Sequence, residues 1–141
     1  MKKCIVTGGA GFIGSNLVEK LIGLSYKINV IDNLSTGLRS NLKDFEKNIT
    51  FYEKDISDIG QLDDSIFVDV DYVFHLAAQS YPQTSFDTLF ETLDTNIIGT
   101  AKLLEMLWRD EDINPVVHVC ASSEVFGRVS KEFLPINEEC K

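Results

Sequence analysis

The chain has 141 residues, 44% of them hydrophobic, and a formal net charge of −9 from 13 Lys and Arg against 22 Asp and Glu. That length and apolar content make one globular domain with a core of its own, and exclude a disordered, collagenous or coiled-coil chain. The acidic balance excludes a broad electrostatic attraction to nucleic acid or to an anionic membrane, so an anionic ligand needs a local site.

Cys4, Ile5 and Val6 form a short β-type run that ends at glycines, and Ile13, Leu17 and Leu21 then recur at helical spacing. Residues 28–31 read as a second strand, followed by a polar stretch over 32–37 and a weak helix near 38–45. Residues 49–53 make a third strand, and Asp58 is placed to cap a helix running to about Ile66. Residues 72–76 make a fourth strand that ends in Ala77 and Ala78. After a loop around Pro82, the longest periodic segment runs from Thr88 to Arg109. Its expected core stripe is Leu89, Leu93, Ile97, Leu104 and Trp108, with Ile98 and Met106 off that face. Pro115 precedes a fifth strand over 116–121. Strands rich in Val and Ile, alternating with helical segments, predict a doubly wound α/β domain with a parallel sheet buried on both faces.

The tail from Arg128 shows no period and reads as a loop interrupted mid-fold. A sheet that stops after its fifth strand lacks the second half of the usual six-stranded dinucleotide fold, so the chain is expected to be a fragment. Cys4, Cys120 and Cys140 are widely spaced, with no Cys-x-x-Cys pair and no clustering with His75 or His118. They read as reduced thiols of a cytosolic protein, and no metal site is expected. The N-terminus lacks a signal-peptide pattern, and no apolar run is long enough to span a membrane.

Gly9, Gly11 and Gly14 stand in Gly-x-Gly-x-x-Gly spacing after the first strand and open the first helix. Residues without Cβ let backbone N–H groups approach a pyrophosphate, and the helix N-terminus adds partial positive charge. Asp32 ends the second strand, at the distance where a carboxylate accepts hydrogen bonds from the adenine ribose. It also repels a 2′-phosphate, so NAD is expected over NADP, with Arg39 the one nearby group that could favour a phosphate.

The segment from Thr7 to Gly14 resembles the signature of extended short-chain dehydrogenase/reductases, the sugar-nucleotide epimerase and dehydratase group, whose own spacing is Gly8-x-x-Gly11-x-x-Gly14. Residues 32–37, Asp55-Ile56, 75–78, 95–100 and 122–127 agree in order, so the resemblance covers essentially the whole chain. It implies a Rossmann-type fold with five strands present and NAD as cofactor. It also implies a cofactor-binding set of Gly8, Gly11, Phe12, Ile13, Gly14, Asp32, Asn33, Ser35, Thr36, Gly37, Asp55, Ile56, Leu76, Ala77, Ala78, Ser80, Asn96 and Cys120. By the same resemblance, residues 1–127 are the NAD-binding domain and residues 128–141 begin a loop leading toward the rest of the enzyme. The helix of 88–109 is expected to help build a homodimer.

The family pattern makes Ser122, five residues before Gly127, the catalytic Ser/Thr that hydrogen-bonds the reacting sugar oxygen. Glu124 resembles the acid/base of the 4,6-dehydratases, a role suited to a partly desolvated carboxylate. The nearest likeness is to GDP-mannose 4,6-dehydratase-like enzymes, with a nucleotide sugar as substrate. The chief departure lies in the family's catalytic Tyr, which is followed four residues later by Lys. Tyr26, Tyr52, Tyr72 and Tyr81 are followed at that distance by Val30, Ile56, Leu76 and Ser85. Residues 1–141 alone are therefore expected to be inactive. The alternatives are a non-catalytic NAD-binding module and a reductase or decarboxylase of the same superfamily.

Overall fold

A computed structural model describes residues 1–109 and 114–137. Five short strands, β1 (Lys3–Thr7), β2 (Lys27–Asp32), β3 (Ile49–Glu53), β4 (Tyr72–His75) and β5 (Val116–Val119), form one sheet in the order β3-β2-β1-β4-β5. Every neighbouring pair is parallel. From β1 the chain winds outward to β3, then returns to lay β4 and β5 on the other side of β1. The carboxyl ends of β1 and β4 thus flank the switch point where open α/β sheets leave a crevice.

Side chains alternate across each strand, and that alternation divides the core in two. Cys4, Val6, Ile28 and Val30 face one layer, where helix α1 (Phe12–Gly23) covers them with Val18 and Leu21. Ile5, Ile31 and Val73 face the other, beneath Leu103, Met106 and Leu107. Residues buried on both faces of the sheet explain why the strands read as continuous apolar runs.

The segment after β3 differs from the sequence expectation. In place of one helix capped by Asp58, two 3-10 turns occur, Ile56–Gln61 capped by Asp55 and Asp64–Ile66 capped by Asp63. Asp55 Oδ1 accepts from the Ser57 N–H at 2.8 Å, and Asp63 Oδ1 accepts from the Ser65 N–H at 2.8 Å. Two caps so close together divide the segment into pieces too short to sustain an α-helix. The weak helix near 38–45 is likewise a 3-10 segment, Arg39–Phe45. Pro82 opens a short helix, α2 (Pro82–Asp87), where a loop was expected. The expected loop after Arg128 contains one 3-10 turn, Lys131–Phe133.

The long helix is present, but its buried face is not the expected one. Helix α3 (Leu89–Leu93) passes through a π-helical turn (Asp94–Gly99) into α4 (Thr100–Trp108). Leu103, Met106 and Leu107 are buried, whereas Ile97 is 57% and Trp108 85% exposed. Gly99 accounts for the choice: a Cβ there would lie 2.6 Å from Ile56 Cγ2. The face carrying that glycine packs against the turn at Ile56, and the face with larger side chains is turned outward. Leu103→Ala should therefore cost about 2–5 kcal/mol in denaturant unfolding, and Leu104→Ala less than about 1 kcal/mol. Equal losses at the two positions would contradict this phase.

Candidate functional site

At the carboxyl end of β1 the chain turns at Gly8, whose φ of +69° suits a residue without Cβ. A Cβ there would also lie 2.7 Å from the Ala77 nitrogen, so this glycine permits the loops after β1 and β4 to touch. Gly14 has the same kind of role inside the turn, where a Cβ would lie 2.2 Å from the Gly8 carbonyl oxygen. A Cβ on Gly11 would be less crowded, with the Gly8 carbonyl oxygen 3.3 Å away. Gly11 is the N-cap of α1, no side chain caps the helix, and its first turn holds no acidic residue. Phe12 and Ile13 are exposed beside it. An uncapped helix N-terminus with no acidic residue in its first turn offers backbone donors of the kind a dinucleotide pyrophosphate requires.

Asp32, buried at the end of β2, ties that turn to the sheet. Its Oδ2 accepts from the Ala10 N–H and its Oδ1 from the Leu34 N–H, each at 2.8 Å. Gly37 packs against it, where a Cβ would lie 2.9 Å from Asp32 Oδ1. Next to Asp32, Asn33 donates to Asp55 Oδ2 at 2.6 Å and accepts from the Ser35 N–H at 3.0 Å. Partial burial opposes the charge on Asp55, but hydrogen bonds from Ser57 and Asn33 together outweigh it and hold the carboxyl below its ordinary pKa. Ser35 and Thr36 are exposed on the same rim, and Ile56 is buried in the core beneath it. Arg39 is turned toward β3: its guanidinium lies 3.8 Å from the Phe51 ring centroid, and its Nε is 3.6 Å from Glu46.

Beyond β4 a cavity of about 580 Å³ opens between the loop after His75, the π turn and the end of β5. Leu76, Ala77, Ala78 and Ser80 line one side, Asn96 another, and Cys120 and Ser122 a third. The Asn96 amide clamps this loop twice, accepting from the Gln79 N–H at 2.8 Å and donating to the Gln79 carbonyl at 3.0 Å. Ser122 caps the 3-10 turn Ser123–Phe126 by accepting from the Glu124 N–H at 3.2 Å. Glu124 is exposed, so the desolvation suited to an acid/base is not supplied by the described residues. Cys120 is exposed, and its N–H donates to the His75 carbonyl at 3.2 Å. Cys4 is buried within the sheet, which pushes its thiol up to about 12. Cys140 lies outside the described residues.

One set of residues in this edge went unassigned by the sequence. Thr7 and His75 end β1 and β4 in register, and both are buried. Thr7 Oγ1 is 2.7 Å from His75 Nδ1, and His75 Nε2 is 2.8 Å from Thr100 Oγ1. Burial pushes the His75 pKa below its ordinary value. The signal was available only once β1 and β4 were known to be neighbours.

Among the described residues no group of three His, Cys, Asp or Glu could hold a metal ion, and no helix is long and apolar enough to cross a membrane.

Comparison with known proteins agrees with this geometry. The family described as GDP-mannose 4,6 dehydratase matches residues 5–141. The chain belongs to that family. A solved UDP-N-acetylglucosamine 4-epimerase of Methanobrevibacter ruminantium, in complex with UDP-N-acetylmuramic acid, is 35% identical with a TM-score of 0.83, covering 98% of this chain and 43% of that one. The dTDP-glucose 4,6-dehydratase DesIV of Streptomyces venezuelae, solved with NAD bound, is 34% identical with a TM-score of 0.67, covering 74% of this chain and 35% of that one. UDP-glucuronic acid decarboxylase 1 of Danio rerio is 31% identical over 98% of this chain and 31% of its own length. This GDP-mannose 4,6-dehydratase family chain thus spans less than half the length of those relatives.

The His75 shift has a measurable consequence. An unfolded His titrates near about 6.5 and this one lower, so in that interval the unfolded state binds more protons. The contribution to stability is full above about pH 6.5 and declines as pH falls toward the folded pKa. Denaturant unfolding between pH 7.5 and 5.5 should show this decline, and His75→Gln should remove part of it. An unchanged slope in the variant would contradict a buried, neutral His75.

Proposed function

We propose that this chain is the NAD-binding part of a sugar-nucleotide 4,6-dehydratase or epimerase acting at the sugar C4, with NAD taken in preference to NADP. The observation that carries the reading is Asp32, a buried carboxylate bonded to the glycine loop through the Ala10 N–H. A carboxylate accepts from ribose hydroxyls and repels a 2′-phosphate, and Arg39, occupied with Phe51 and Glu46, is not directed to offset that repulsion.

The residues divide the work by position. Backbone N–H groups of Phe12 and Ile13 hold the pyrophosphate, with the Gly11 N–H spent on the Gly8 carbonyl, Asp32 holds the adenine ribose, and Asn33 and Asp55 present polar groups on the adenine side. Leu76, Ala77 and Ala78 form the wall along the nicotinamide end, with Ser80, Asn96 and Cys120 around it. NAD, when bound, supplies the acceptor and donor of hydride at C4. Ser122 Oγ orients the sugar oxygen that loses its proton during oxidation. Glu124 takes the C5 proton in the dehydratase variant of the reaction, once substrate or further protein covers it. The chain carries no Tyr with Lys four residues later, so residues 1–141 alone are inactive, with residues 1–127 as the NAD domain.

A decarboxylase of the same superfamily is the second reading, favoured by the match to the Danio rerio enzyme. In either case the exposed stripe of Leu89, Ile97, Leu104 and Trp108 is the surface for a homodimer, and the protein works in the cytoplasm.

Titration calorimetry tests the cofactor assignment. NAD should bind more tightly than NADP, and Asp32→Ala should weaken NAD about 10- to 100-fold through loss of a charged acceptor. A preference for NADP unaltered by that substitution would overturn it. In the intact protein, Glu124→Gln should leave NAD binding unchanged and abolish water elimination, and unchanged turnover would remove Glu124 from the mechanism.

A further inference from the structure

His75 borders the cavity, yet none of the steps above uses it. Its protons can be assigned from its neighbours. Thr100 Oγ1 lies 2.8 Å from the Asn96 carbonyl, which can only accept, so the single hydroxyl hydrogen of Thr100 points there. Facing Thr100, His75 Nε2 must then carry a hydrogen and donate. On the other side, Thr7 Oγ1 accepts from the Ala77 N–H at 3.1 Å and can give its own hydrogen to a bare His75 Nδ1, whereas a proton on that nitrogen would leave the buried hydroxyl hydrogen without an acceptor. The imidazole is therefore neutral and in the Nε2–H form, with both nitrogens engaged. It has no free lone pair or proton for substrate, which excludes an acid/base role in this arrangement.

The bonds close on themselves. From the Ala77 N–H they pass through Thr7, His75 and Thr100 to the Asn96 carbonyl, and the Asn96 side chain returns to both backbone groups of Gln79. We propose that His75 is a positioning residue whose Nε2–H tautomer joins β1 to the π turn and so fixes the loop 77–79 against the nicotinamide end of the cofactor. The effect on cofactor rests on the reading of this cavity as the NAD site. The ring itself does not.

Replacing the imidazole by an apolar ring strands the hydroxyl hydrogen of fully buried Thr7 and leaves the Thr100 lone pair unpaired at the cavity wall. A Gln side chain offers one acceptor and one donor in a plane and can restore both. The loop after β4 is then free in one variant and held in the other, with the sheet common to both.

The test combines three readouts on this protein. Imidazole nitrogen NMR at neutral pH should show His75 with the proton on Nε2, and a proton on Nδ1 or on both nitrogens would overturn the assignment. In His75→Phe the amides of Ala77 and Gln79 should exchange with solvent at least about tenfold faster while Ile5, in the middle of β1, keeps its rate, and His75→Gln should stay within about threefold of the parent. Unchanged exchange at Ala77 and Gln79 in His75→Phe would overturn the positioning role. NAD affinity should fall by about tenfold or more in His75→Phe and recover in His75→Gln; equal affinity in all three would overturn it as well. If His75→Phe does not fold, Thr100→Val makes the same cut on one side, and an unaltered His75 Nε2–H resonance there would contradict the ring. A parent protein that shows the tautomer and the protected amides but binds no NAD refutes the function proposed above and leaves the ring intact.

Discussion

The contact between Gly8 and the backbone of Leu76 and Ala77 sets the geometry of the whole carboxyl edge. A Cβ at Gly8 would lie within 2.8 Å of the Leu76 carbonyl carbon, so any side chain would push the loops after β1 and β4 apart. With them together, Thr7 reaches Ala77, and the Gly8 N–H reaches the Ile31 carbonyl at 2.8 Å. Three strands are thereby locked at their ends. The donors at the start of α1, the Asp32 carboxylate and the cavity beyond β4 are held along one continuous edge.

That edge resolves an electrostatic conflict. A protein of net charge −9 repels a pyrophosphate at long range. The repulsion is screened over about 8 Å at physiological salt, whereas backbone donors at an uncapped helix N-terminus act at hydrogen-bond distance. Under the proposed reading the local term outweighs the screened one, because α1 has no acidic residue in its first turn and no side chain at its cap. Asp32 is the acidic group tied to that turn, its carboxylate held in place by the Ala10 and Leu34 N–H groups.

Much of this was legible in the sequence, for reasons that can be named. The strands of a sheet buried on both faces are apolar runs, and all five were found at nearly their observed bounds; the first βα turn announced itself by Gly8, Gly11 and Gly14. The phase of α3 and α4 was not legible, because two apolar stripes lie side by side on that helix. The choice between them depended on Gly99 meeting Ile56, a contact across 43 residues of sequence. Asp55 and Asp63 replaced Asp58 as caps because Ser57 and Ser65 stood ready two residues on, a local pairing that helical spacing alone overlooked. The His75 ring was hidden for a similar reason: Thr7 and His75 touch only because β4 returns beside β1.

The most direct measurement is a crystal structure of the protein grown with NAD. Pyrophosphate oxygens should lie within about 3 Å of the Phe12 and Ile13 N–H groups, the adenine ribose on Asp32, and the nicotinamide against Ala77 and Ala78. NAD bound away from the carboxyl edge of the sheet, or with its ribose turned away from Asp32, would contradict that placement.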